Sequence, residues 1–159
     1  MRIRYFERVV RRAGIVSQQK EDEEGVSNHP FFDRSIYDRF PPKVKKLFDD
    51  AHYSEATFEA FKFLDKRVAK LAGSRESGQK LMMQALSETG AIKLNNLSND
   101  SELDEQNGYK FLFAGAMSAV RNPRGHEYDF NDSIESCLDH LSLASFLIRR
   151  LEQAGYELD

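Results

Sequence analysis

The chain of 159 residues has one cysteine, Cys137, so no internal disulfide can form and the fold must rest on packing alone. Its four histidines are scattered rather than set at metal-ligand spacing, which argues against a built metal centre. An excess of one charge is also missing. With 26 acidic against 23 basic residues the formal charge is -3, so the chain cannot coat nucleic acid through bulk charge, and any such contact must be local. No apolar run approaches the length of a bilayer crossing, and the Arg-rich start lacks the apolar block of a secretory signal. These absences together predict a soluble protein of a reducing cytoplasm, with no membrane partner, no cofactor and no metal. No segment alternates apolar and polar residues with β-branched side chains, which excludes a sheet as the main scaffold.

What is present is helical periodicity around 40% apolar residues, enough for one core of ordinary size. The stretch 2-RIRYFERVVRRAGIV-16 sets Ile3, Phe6, Val9 and Val10 at helical spacing among five arginines, an amphipathic arm. The acidic linker 20-KEDEEGVSN-28 follows, so the sequence divides into an arm and linker at 1–28 and a helical domain at 29–159. Pro41 and Pro42 open a short helix through Phe48. Ser54 is a candidate N-cap for a long helix burying Ala56, Ala60, Phe61, Leu64, Val68 and Leu71, which Gly73 stops. A shorter helix spans Gly78 to about Ser87, and 91–100 reads as a loop. Ser101 is the next candidate cap, for a helix running to Arg121 in which Leu103, Phe111, Leu112, Phe113, Met117 and Val120 lie among small residues. Those small residues, Gly108 and Gly115 included, predict a closely packed neighbour, within the bundle or across a dimer. Pro123 should stop this helix, leaving Arg121 as its last residue. The last helix then starts near Asp132, where 132-DSIE-135 resembles a capping box. The expected fold is all-α: an antiparallel four-helix bundle with a short extra helix and the N-terminal helical arm.

One stretch, 120-VRNPRGHEYDF-130, carries chemistry. An arginine five residues before a histidine is weak by itself, since 13 arginines and four histidines give roughly 0.3 such pairs by chance. Position adds weight: Arg121 ends a helix rich in small residues, Asn122 follows it, and Pro123 and Gly125 shape a turn carrying His126. Each also has an ordinary reading, as a dipole partner, a cap or a solvated turn. The acids of 126-HEYDFND-132 have no spacing that fixes a metal geometry.

The R-N-x-x-x-H element at Arg121, Asn122 and His126 resembles the signature of the HEPN superfamily, many of whose members are metal-independent ribonucleases of bacterial conflict systems. More closely, 29-HP-30, 47-LFDDAHYSEATFEAFKFLDKRV-68, 78-GQKLM-82 and 105-EQNGYKFLFAGAMSAVRNPRGH-126 resemble the Ymh-type prokaryotic proteins, found near phage, plasmid and restriction genes. The resemblance spans roughly 29–152 and leaves the arm without a counterpart. It implies that Arg121 and His126 are catalytic, with Asn122 beside them, and that the site is shared across a homodimer. It also implies a partner such as an antitoxin or another subunit of a defence complex, for which the arm is a candidate contact.

The residue types suit RNA. The strand carries its own nucleophile, the 2′-hydroxyl, so cleavage needs a base, an acid and positive charge on the phosphate. A histidine with a pKa near 6.5 suits either proton task, and a guanidinium can fork onto a phosphate. The products would be a 2′,3′-cyclic phosphate and a 5′-hydroxyl. One motif supplies one histidine, so a two-fold dimer is expected to complete base and acid, with water or Arg121 as the monomer's alternative. Arg124 is a candidate contact to the RNA backbone. The competing expectation is a catalytically silent helical module that binds a nucleotide, RNA or a partner protein.

Overall fold

The structure, a computed structural model, describes residues 29–126 and 130–158, apart from the side chain of His126. The arm and linker at 1–28 lie outside the described residues, as do Glu127 and Asp129. The chain divides into two units, Met1–Asp33 and Arg34–Asp159. Of the first, the short helix α1 (Pro30–Asp33) is described, with the Phe31 N–H donating to His29 Nδ1 at 3.2 Å.

In the second unit every regular element among the described residues is helical, so the chain is all-α there. Helix α2 (Pro42–Asp49) starts after Pro41 because a proline needs no acceptor in a first turn. Helix α3 (Tyr53–Ala72) stops at Gly73, whose φ of 59° is left-handed and cheap only for glycine. Helix α4 (Gly78–Ala85) follows, then α5 (Asp100–Ala116), and α7 (Ile134–Gln153) closes the unit. Helix α3 is central, packing on α2, α4 and α7. Its Phe61, Leu64 and Val68 are fully buried, as are Leu81 and Met82 of α4, Phe113 of α5 and Leu141, Leu147, Ile148 and Leu151 of α7. Each such side chain contributes about 1.5–3 kcal/mol relative to exposure. The loop between α4 and α5 is held by buried Gln106, which donates to the carbonyls of Leu86 and Ile92 and accepts from the Leu94 N–H. Among the described residues no helix is long and apolar enough to cross a membrane.

Several local expectations are corrected. Ser54 does not cap α3, and its hydroxyl instead accepts the Asp132 N–H at 2.8 Å. Asn99 rather than Ser101 caps α5, accepting from the Glu102 N–H. Ser133 rather than Asp132 caps α7, accepting from the Ser136 N–H, because the Asp132 carboxylate is engaged elsewhere.

The largest departure concerns Pro123, which does not end the helix. After Ala116 the chain widens into a π-turn at Met117–Arg121, where the Asn122 N–H reaches back to the Met117 carbonyl, and α6 (Asn122–His126) continues from it. In an unbroken α-helix the proline ring would strike the carbonyl four residues earlier. The π-turn inserts a residue just before that point and restarts the helix at Asn122, which places Pro123 in a first turn. Arg121, Asn122 and His126 therefore lie along helical backbone and not around a loop.

Candidate functional site

Arg121 sits at the end of the π-turn with its guanidinium carbon 5.5 Å from the centre of the Phe58 ring. Its Nη1 donates to the adjacent Asn122 Oδ1 at 3.2 Å. Its Nε is buried without a hydrogen-bond partner, as is the Ser118 hydroxyl one turn earlier. A buried donor left unpaired costs about 1–3 kcal/mol, so Arg121 is held in a state that an incoming acceptor would improve. No carboxylate pairs with it among the described residues. The structure thus brings Arg121 and Asn122 together and puts His126 at the end of α6, its side chain outside the description.

Arg124 is different in kind. The exposed turn expected for it does not exist. Its side chain is 3% exposed, and it forks onto Asp132, also 3% exposed, with Nε to Oδ2 at 2.6 Å and Nη2 to Oδ1 at 2.5 Å. Its Nη1 donates to the Val120 carbonyl at 2.6 Å, its Nη2 lies 3.2 Å from His140 Nδ1, and the Phe130 ring covers it at 4.6 Å. Arg124 is therefore spent within the protein. It ties α6 to the start of α7, while Asp132 ties the same point to α3 through Ser54.

The charges in this cluster follow from its burial. Burial pushes the Asp132 carboxyl up, but the hydrogen bonds and charge of Arg124, with His140 and Ser136, outweigh it and leave the group below its usual value. Burial and the neighbouring Arg124 charge push His140 down, against Asp132 and Asp139. Burial raises the Cys137 thiol to about 11, against the pull of Thr57 and Arg124, so it is an unreactive core side chain.

Sequence reasoning missed Phe58. It lies on α3, where its ring faces Arg121 on one partner and Gly125 on another: a Cβ on Gly125 would stand 2.9 Å from Phe58 Cε2. Glycine is needed there for close approach rather than for a turn. Asp132 was visible as a cap and as one acid of the run 126–132 but not as a partner of Arg124, which lies eight residues away across Phe130. His52 and Tyr53 do not line this cluster: His52 is exposed near Glu55 at 3.8 Å, and Tyr53 packs edge-on against Phe48. Among the described residues no group of three or more His, Cys, Asp or Glu side chains is placed to hold a metal.

On the side of α5 that carries Gly108 and Gly115, the expected close neighbour is absent among the described residues. An added Cβ at Gly108 or Gly115 would meet nothing within 4 Å, and Phe111 and Leu112 between them are 60% and 51% exposed.

No curated protein and no solved structure matches the chain. Residues 35–151, which span both the cluster around Arg124 and the helix carrying Arg121, match the family Hypoth_Ymh, described as a protein of unknown function, and the chain belongs to that family.

Proposed function

We propose that the chain is a metal-independent RNA endonuclease of the HEPN type, on an antiparallel four-helix bundle, acting in phage defence or in a toxin–antitoxin pair. The observation that carries the reading is Arg121: a guanidinium with no carboxylate partner among the described residues, backed by Phe58, beside Asn122, with a buried donor unsatisfied. A phosphate would supply the missing acceptor, and two parallel donors onto it would stabilise the charge that grows as the 2′-hydroxyl attacks. His126 takes or gives the proton, and Asn122 steadies the arginine. Arg124 serves by holding α6 in place rather than by touching RNA.

The reading includes a second copy of the chain, because base and acid must act on opposite sides of the phosphorus. The open face of α5 supports it. Gly108, Phe111, Leu112, Gly115 and Ala119 form an exposed stripe that ends two residues before Arg121 in sequence, and Tyr109 of α5 stacks on exposed Phe146 at 6.0 Å.

The test is incubation of the purified protein with single-stranded RNA and tRNA in EDTA, beside Arg121→Ala and His126→Ala. Cleavage by the wild type alone, leaving cyclic phosphate ends, is expected. Cleavage that persists in both variants, or that requires a metal, would refute the mechanism. RNA binding without any cleavage would favour the silent binding module.

A further inference from the structure

A cavity of about 220 Å³ opens beside the Arg121 helix, and the reading of Arg121 as a phosphate group's partner does not use it. Its walls are Phe58 and Phe130, its charged rim is Lys43, Glu55 and Glu59, and Arg124 closes it behind Phe130. We propose that this cavity is a nucleobase subsite, taking a base with an exocyclic amino group from the strand whose phosphate Arg121 holds. The proposal rests on that assignment of Arg121.

Four observations lead to it. First, the size is below the roughly 300–1,000 Å³ of pockets for drug-sized ligands, which suits one flat ring system rather than a whole nucleotide. Second, two aromatic rings line it, and bases of single-stranded RNA are held chiefly by stacking on such rings. Third, the charges do not favour phosphate. Arg124 is neutralised by Asp132, and Lys43 by Glu59 at 3.0 Å, so the cationic groups there are already paired and two carboxylates face the space. Burial pushes the Glu59 carboxyl up, but Lys43 and Lys62 outweigh it, so this carboxylate is charged at neutral pH. Both lysines bind its Oε1, which leaves Oε2 for a donor, and an ionised carboxylate accepts only. Glu55, one turn earlier on α3, is 61% exposed and adds a second acceptor. An amino-bearing base edge meets this demand, as when a Glu or Asp accepts from cytosine N4. Fourth, Phe58 is common to both places. The Arg121 guanidinium lies over its ring and the cavity lies against it, so a phosphate at Arg121 and a base in the cavity are separated by about one side chain.

The experiment is an NMR titration of the full chain, observing aromatic ¹³C resonances, with 5′-CMP, 5′-AMP, 5′-GMP, 5′-UMP and ribose 5-phosphate as probes. The three amino-bearing nucleotides should shift the Phe58 and Phe130 rings and bind at least about fivefold more tightly than 5′-UMP. Ribose 5-phosphate should leave the Phe130 ring unmoved. Phe130→Ala, with an unchanged fold verified by circular dichroism, should weaken 5′-CMP by about fivefold or more, the usual scale of one stacked base. Glu59→Gln should erase the preference over 5′-UMP. Equal shifts from ribose 5-phosphate and the nucleotides, or Phe130→Ala binding within about twofold of wild type, would overturn the subsite. Base binding by a protein that cuts no RNA would refute the nuclease and leave the subsite standing. RNA cleavage without ring shifts would do the reverse.

Discussion

Replacing Arg124 by alanine tests whether the buried pair organises the site. Both side chains are 3% exposed, so this is not the kind of surface pair that contributes about 0–1 kcal/mol. Removing the guanidinium strips Asp132 of two hydrogen bonds, frees the Val120 carbonyl and uncovers the Phe130 ring. The Asp132 charge would then be buried without its counter-ion, held only by Ser136 and its surroundings. Breaking one side of a buried pair costs about 3–5 kcal/mol, a large part of a stability of about 6–19 kcal/mol for a domain of this size. Urea unfolding followed by circular dichroism measures it. Lys80→Ala, which removes an exposed partner of Glu76 at 2.7 Å, is the control and should cost under about 0.5 kcal/mol. The double variant Arg124→Met with Asp132→Leu removes both charges, and should recover most of the loss, because apolar replacement of a whole buried pair is often neutral. A loss below about 1 kcal/mol for Arg124→Ala, or a double variant as unstable as the single, would refute the reasoning.

Three further outcomes follow from the same geometry. Gly125→Ala should forfeit the roughly 1 kcal/mol that alanine normally adds inside a helix, since its Cβ would press to 2.9 Å from Phe58; a gain near the full amount in urea unfolding would show that the ring gives way freely. Acid should weaken the fold in two stages. His140 has a lowered pKa in the folded state, so the unfolded chain binds the proton first and stability falls as pH drops below about 6.5. Asp132 is also lowered, so its contribution is present above about pH 4 and is lost as pH falls through its folded value. Unfolding midpoints between pH 7 and 3 should lose the first stage in His140→Gln, and an unchanged slope in that variant would remove His140 from the account. Finally, Leu112→Glu on the open face of α5 should convert a dimer to a monomer in sedimentation experiments; an unchanged mass would exclude this face as the contact.

Much of the helical layout can be read from periodicity. Ala56, Ala60, Phe61, Leu64 and Val68 step by three and four along α3, and all are buried. Gly73 and the paired prolines work as punctuation because their backbone preferences act locally. The same kind of rule failed at Pro123. Its local preference against helix at Asn122 was outweighed by contacts from distant residues: Phe58 against Gly125, and Asp132 with Arg124. Asn122 accordingly has helical φ and ψ of -65° and -45°. Phe111 and Leu112 show the converse limit, since apolar character promised burial that no element among the described residues provides.

The sequence by itself determined the helices, the core stripe of α3 and the clustering of Arg121, Asn122, Arg124 and His126 within six positions, because periodicity and spacing are local properties. Only the tertiary structure decided what the two arginines are for. A guanidinium's role depends on which acceptors reach it: Asp132, held by Ser54 of α3, claims Arg124, and Arg121 rests on Phe58 with a donor unsatisfied. Those partners lie from eight to more than sixty residues away, and folding alone brings them within hydrogen-bonding or ring-contact distance.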